Sequence, residues 1–270
     1  MQTILLALIC GAAIGFCLGA LGGGGGILVW PALVFGIGAS AEEASLLAKA
    51  IVGASAMFAA AMHWKRGTVD LSRGMTMAAI GMLGAILGGR FTSLTGMDPA
   101  TTKHAMTVLL AVLMLVVAGL MLRKGLRSRR IEQDNAESIS EPDADHKSAV
   151  RWSVFVGAST GIGFLTGFLG VGGGFMIVPT LVFVFGMPMR VAAGTSLVVI
   201  SLTCAAGIAA SFQADARWGL AAVFSASSIV AASVAVRVAG RAQQSTLQIA
   251  FSGLVVVLGV LMFWKLSLGS

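Results

Sequence analysis

The sequence predicts an all-α fold: a polytopic transmembrane helical bundle of two inverted-topology repeats, each with a glycine-rich broken or re-entrant helix. Three observations predict it. Of 270 residues, 57% are apolar and 11% charged, with a mean hydropathy of +0.94, well outside soluble globular composition. Apolar runs of roughly 18 or more residues recur along the chain, each long enough to cross about 30 Å of hydrocarbon at about 1.5 Å per residue. One glycine-rich stretch also occurs twice, as GFCLGALGGGGGILVWPALVFGIG at 15–38 and GFLTGFLGVGGGFMIVPTLVFVFG at 163–186.

Polar punctuation sets the elements in order. The first half gives apolar runs at 3–21, 27–38, 43–63, 74–94 and 101–122, and the second gives 152–170, 175–186, 190–212, 218–238 and 246–266. The first run lacks a basic n-region and leads into glycines rather than a cleavage site, so it reads as a membrane helix and not as a signal peptide. Between the halves, RKGLRSRRIEQDNAESISEPDADHKSAVR is poor in apolar residues, with basic residues first and acidic ones after, which is the composition of a solvated tether. The expected organisation is a first repeat at 1–122, a cytoplasmic linker at 123–150 and a second repeat at 151–270.

Aligned without gaps, the two glycine stretches share thirteen of twenty-four positions, among them Gly24/Gly172, Gly25/Gly173, Gly26/Gly174, Pro31/Pro179 and Gly38/Gly186. A shared proline and a shared order of five runs mark an internal repeat. Five runs is an odd number, so where the short second run crosses, or pairs with the first as a re-entrant hairpin, the second repeat enters the bilayer from the opposite side. Charge placement agrees. Lys65, Arg66 and Arg73 follow the third run, Arg123 to Arg130 the fifth, Arg190 the seventh, and Arg237 with Arg241 the ninth. All fall on one side, which the positive-inside rule makes cytoplasmic. Both termini are then outside and the central linker inside. Trp64, Trp152, Trp218 and Trp264 stand near run ends as interfacial anchors, while Trp30 precedes Pro31 inside a short run.

Backbone that leaves the helical path within hydrocarbon is tolerated only where protein buries it or water fills a cavity beside it. GGGG and VGGG, each with a proline downstream, are poor helix, so each repeat is expected to break there. Gly15, Gly19, Gly163 and Gly167 read as close helix packing through small residues. Gly24, Gly25, Gly26, Gly172, Gly173 and Gly174, with Pro31 and Pro179, read as an anion site, because consecutive glycines can aim free N–H groups at one point beside a helix N-terminus.

Ionisable and hydroxyl side chains inside the runs extend that site. Lys49 lies roughly 10 Å into its run, where a lysine either snorkels past Glu42 and Glu43 or faces an anion. Arg90 and Arg237 are repeat partners near the end of the fourth run of each half, placed to line the path or to anchor at the interface. Thr195 and Ser196 stand beside Leu197, the repeat partner of Lys49, and can either bond their own helix or complete an oxyanion-binding surface.

Other chemistries are weaker. Neither glycine stretch carries the sixth-position glycine of GxGxxG or a following GK[ST], so nucleotide binding has little support. Cys10, Cys17 and Cys204 lack metal-ligand spacing and read as small buried hydrophobes. An intramembrane enzyme would have to use Cys17, Cys204 or His63, and His63, at a run end beside Trp64 and Lys65, reads as a solvated interfacial histidine. No cofactor, metal or nucleic-acid partner is expected.

GFLTGFLGVGGGFMIVP followed by MRVAAGTSL resembles the sulfite exporter TauE/SafE family, and GFCLGALGGGGGILVWP, EEASLLAKA and RGTVD in the first half fit the same order of elements. The resemblance covers nearly the whole chain outside the linker. It implies a multi-pass inner-membrane transporter that exports sulfite, an organosulfonate or another small sulfur-containing anion. The first half departs from it by placing LLAK at 46–49 where the pattern has GTSL. The resulting expectation is a secondary transporter working by alternating access, driven by membrane potential or coupled to a proton, alone or as a homo-oligomer. An anion channel would use the same site chemistry.

Overall fold

The structure, a computed structural model of the chain, describes residues 2–23, 37–94, 156–164, 174–210, 216–240 and 243–268, with isolated positions between 26 and 33 and between 112 and 126. The described residues are all-helical, with no strand. Seven helices are bounded: α1 Gln2–Leu21, α2 Ala41–Lys65, α3 Leu71–Leu94, α4 Gly174–Phe183, α5 Met189–Ala210, α6 Trp218–Ala239 and α7 Gln244–Leu268. The segment 156–164 is helical as well. The spans Glu43–Lys65, Met189–Ala209 and Trp218–Ala239 are long and apolar enough to cross a membrane, and Ala7–Leu21, Leu71–Leu87 and Ser245–Val257 are shorter apolar stretches. Each bounded helix starts and stops within about three residues of the polar punctuation. The expected linker, and most of the runs at 27–38, 101–122 and 152–170, lie outside the described residues.

Local chemistry explains several boundaries. The Glu43 N–H donates to Ser40 Oγ at 3.2 Å and caps the start of α2. At its other end Gly67 takes φ +68 and donates to the Trp64 carbonyl at 2.8 Å, a left-handed stop that glycine adopts without strain. One turn is built twice at matched positions of the glycine stretches. Gly38 has φ +69 and Gly186 φ +62, while the Ala39 N–H reaches the Leu33 carbonyl and the Met187 N–H the Leu181 carbonyl, both at 3.1 Å. In the second half α4 begins at Gly174, the last glycine of VGGG, and runs on through Pro179. As the sixth of ten residues, the proline removes one interior backbone hydrogen bond of this helix.

Contact pairs fix how the helices run against one another. Gly11 faces Phe224 and Ser227, Gly15 faces Ser228, and Gly19 faces Ala232, so α1 and α6 advance together in the same direction. The same holds for α2 and α6, where Glu43 meets Arg217, Ser55 Oγ lies 2.9 Å from Ser228 Oγ, and Arg66 donates to the Val236 carbonyl. It holds again for α3 and 156–164, where Gly81 faces Ser159 and Gly163 while Gly84 faces Thr160 and Phe164. By contrast α2 and α5 run in opposite directions, since Lys49 meets Gly207 and the later Gly53 meets the earlier Cys204.

These pairings give the bundle a basic end and an acidic end. Arg66 and Arg190 meet where α2 and α6 finish and α5 starts. Glu43 and Arg217 meet at the other, with Arg217 Nε 2.8 Å from one Glu43 carboxylate oxygen and Nη2 2.9 Å from the second. That carboxylate holds the Arg217 guanidinium above its ordinary range. The outer faces carry exposed apolar side chains such as Leu83, Ile86, Leu87, Val230, Val234 and Val238, a surface suited to lipid. Without a hydrophobic drive between helices in lipid, close packing of small residues does the holding.

Gly15 is the sharpest case, because a Cβ there would collide with the Ser228 carbonyl and Cα rather than with a flexible side chain. Helix propensity alone favours Gly15→Ala by about 1 kcal/mol, while overpacking costs about 1–3 kcal/mol. Gly15→Ala should therefore lower the thermal unfolding midpoint in detergent. Gly253→Ala, where nothing lies within 4 Å of the added carbon, should leave it unchanged or raise it.

Candidate functional site

The basic end is assembled from three stretches far apart in sequence: the GTS of α5 at 194–196, the RGTVD loop at 66–70 and the first glycines after α1. A Cβ on Gly194 would collide with the Thr68 carbonyl oxygen, so glycine lets α5 lie directly on the loop. Thr195 is fully buried, and its Oγ1 accepts the Asp70 N–H at 3.0 Å. Ser196, also fully buried, shares its one hydroxyl proton between the Ala193 carbonyl at 2.8 Å and the Gly22 carbonyl at 3.2 Å. Gly22 itself has φ +86, and a Cβ there would lie 2.6 Å from Ala193 Cα.

His63 is the hub beside this joint. It is only 5% exposed. Its Nε2 lies 3.3 Å from the Gly19 carbonyl and its Nδ1 2.9 Å from Thr68 Oγ1. Thr68 Oγ1 also lies 3.0 Å from the His63 carbonyl. Arg66, Arg190, Thr68 and His63 share the lining of a cavity of about 20 Å³ with Ala20, Ala193, Val236 and Leu247, room for about one water. The sequence reading of His63 as solvated is corrected by this burial. Packing of Gly19 and Gly194 against α2 and its loop covers the ring, and the five-residue spacing to Thr68 was the one available hint.

Lys49 sits elsewhere. It is half-buried in α2, and its Cδ would lie 3.1 Å from a Cβ on Gly207. Because α2 and α5 run oppositely, Gly207 is about 18 Å further along the α5 axis than Thr195. Lys49 and the Thr195–Ser196 pair are thus held at different depths.

The other candidates are distributed as follows. Gly26 lies against Val52, 3.4 Å from a Cβ placed on it. Gly174 opens α4 and Pro179 is buried inside it. Arg237 is exposed in the last turn of α6 at the basic end. Arg90 lies near the end of α3, with its side chain outside the described residues, as are Gly24, Gly25, Pro31, Gly172 and Gly173. No sequence pattern pointed to Gln248 in α7, which is buried with neither amide atom paired among the described residues.

Ser196→Ala would leave the Gly22 carbonyl without its hydroxyl donor, a loss of about 1–3 kcal/mol for a buried acceptor. The expected outcome is a lowered unfolding midpoint in detergent. Ser201→Ala, whose hydroxyl among the described residues reaches the Val198 carbonyl of its own helix, should be nearly neutral in the same assay.

The comparisons with known proteins agree with one another. A probable membrane transporter protein of Xylella fastidiosa (strain 9a5c) is 31% identical over 202 residues, covering 74% of this chain and 70% of the relative. A protein of the same description from strain Temecula1 is 31% identical over 203 residues, with the same coverage. The probable membrane transporter protein YunE of Bacillus subtilis (strain 168) is 25% identical over 219 residues, covering 76% of this chain and 77% of its own. No solved structure matches the chain. The family model described as Sulfite exporter TauE/SafE matches residues 7–262, which is nearly the full length, and the chain belongs to that family.

Proposed function

We propose that this chain is a secondary transporter that exports a small sulfur-containing anion, sulfite or an organosulfonate, across the bacterial inner membrane by alternating access. The family match over residues 7–262 carries the substrate class. The direction of the helices supports the mechanism. Alignment at an offset of about 148 makes α1 the repeat partner of 156–164, α2 of α5, and α3 of α6. The contact of Gly15 with Ser228 then has its counterpart in the contact of Gly163 with Gly81. The repeat partners α2 and α5 run oppositely, which is what an inverted two-fold requires.

In this reading the repeats span 1–122 and 151–270, joined by a cytoplasmic linker, with the basic end facing the cytoplasm and the termini outside. The anion does not meet all the candidate residues at once. Thr195, Ser196 and Gly22 belong to the inner half of the path, while Gly26, which packs on Val52, reaches the middle of the bundle. Lys49 belongs to the outer half with the second break, where Gly174 supplies a helix start. Arg90 and Arg237 line the two mouths. Export runs downhill electrically from a negative-inside cell.

The test is uptake of radiolabelled sulfite and small sulfonates into liposomes carrying the purified protein, under an imposed positive-inside potential. Saturable uptake reduced at least tenfold by Lys49→Ala is the expected result. Wild-type protein that moves none of these anions overturns the substrate class, uptake without saturation makes the protein a channel, and unimpaired Lys49→Ala removes the lysine from the path.

A further inference from the structure

We propose that His63 is the proton-binding site of this protein, and that a proton there is exchanged with the cytoplasmic side and linked to anion occupancy. The second half of this statement rests on the transporter reading above; the first does not. The geometry around the ring is satisfied in either protonation state. Nε2 faces a carbonyl, Gly19 O at 3.3 Å, which only accepts, so Nε2 carries a proton in both. Nδ1 faces a hydroxyl at 2.9 Å, which can give or take. In the neutral ring Thr68 donates its hydroxyl proton to Nδ1. When Nδ1 takes up a proton, it donates to Thr68 Oγ1, and the hydroxyl proton turns to the His63 carbonyl, 3.0 Å away. One proton is bound, one positive charge is gained and no hydrogen bond is lost.

The surroundings supply the linkage. The cavity of about 20 Å³ beside the ring places Thr68, Arg66 and Arg190 around one space with His63. From α2 the charged groups are Lys65 and Arg66, from the loop and the start of α3 Asp70 and Arg73, from α5 Arg190 and from α6 Arg237. α1 offers only the thiols Cys10 and Cys17, and the described side chains of α7 include no ionisable group. Arg66 and Arg190 share the cavity lining with His63. An anion that approaches these guanidinia lowers the cost of charging the ring, and by linkage a proton on the ring strengthens anion binding by the same factor. The signal reaches the other half of the chain directly, because Thr68 and Asp70 are the residues on which Gly194 and Thr195 of α5 rest.

Two readouts on the full-length protein test this. The first is a nuclear magnetic resonance titration of the imidazoles in detergent, with His63 assigned by its absence in His63→Gln. A His63 signal that titrates as one proton between about pH 5 and 8 is expected, with a midpoint that moves in Thr68→Val. A ring that holds one protonation state across that range overturns the proposal whether or not the protein transports anything. The second is the initial rate of methanesulfonate uptake into liposomes against pH, since that anion keeps one charge throughout. Wild type should change about tenfold across the range and His63→Gln should be flat. Identical pH profiles overturn the linkage, whereas wild type that moves no sulfonate or sulfite overturns the transporter reading and leaves the titration to decide on the proton site.

Discussion

One contact governs the arrangement of the rest: two adjacent hydroxyls of α5 satisfying backbone groups of two other segments. In a low-dielectric interior a backbone N–H or C=O without a partner costs several kcal/mol. The chain leaves the helix after α1 at Gly22 and turns between α2 and α3 at 66–70, and each event frees backbone polar groups inside the bundle. Ser196 takes the Gly22 carbonyl and Thr195 takes the Asp70 N–H. Both bonds require α5 to touch the loop, and Gly194 removes the side chain that would prevent it. A single tripeptide thereby positions α1, α2 and α5.

The fold was legible to the extent that lipid selects for composition. Helix boundaries followed the polar punctuation closely, because a charged or turn-forming residue is expensive within an apolar span. Facing was not legible. A helix that is apolar all round gives no sign of which stripe meets protein and which meets lipid, so the pairing of α1 with α6, a helix of the other half, could not be read from periodicity. Gly15 was rightly read as a packing residue, yet its partner Ser228 carries no mark in sequence.

The candidate site divides in the same way. Thr195, Ser196 and Lys49 drew attention as polar groups inside apolar runs. Their partners did not, since a hydroxyl bonded to a carbonyl contacts an atom that every residue possesses. The separation of Lys49 from Thr195 follows from the opposed directions of α2 and α5, which is a property of the fold rather than of either motif. His63 was misread for a related reason: its neighbours Trp64 and Lys65 are solvated, while the groups that enclose it come from α1 and α5.

In the transporter reading this division has a consequence for how an anion is passed along. Inverted repeats place equivalent positions at opposite depths, so Lys49 and Leu197 mark the same site on the two sides of the bilayer. One side holds a cation and the other a fully buried leucine flanked by Thr195 and Ser196. A symmetric pair of lysines would hold an anion equally at both depths, whereas the direction of net flow is set by the membrane potential and by neither site. With the charge on one side only, the inner half offers hydroxyls and the arginines of the mouth, and the outer half a single ammonium close to the exit. Binding strong enough to draw the anion from Arg66 and Arg190 and weak enough to release it beyond Glu43 is then set by one side chain, and the repeat symmetry is broken at the position that sets how tightly the anion is held on its way.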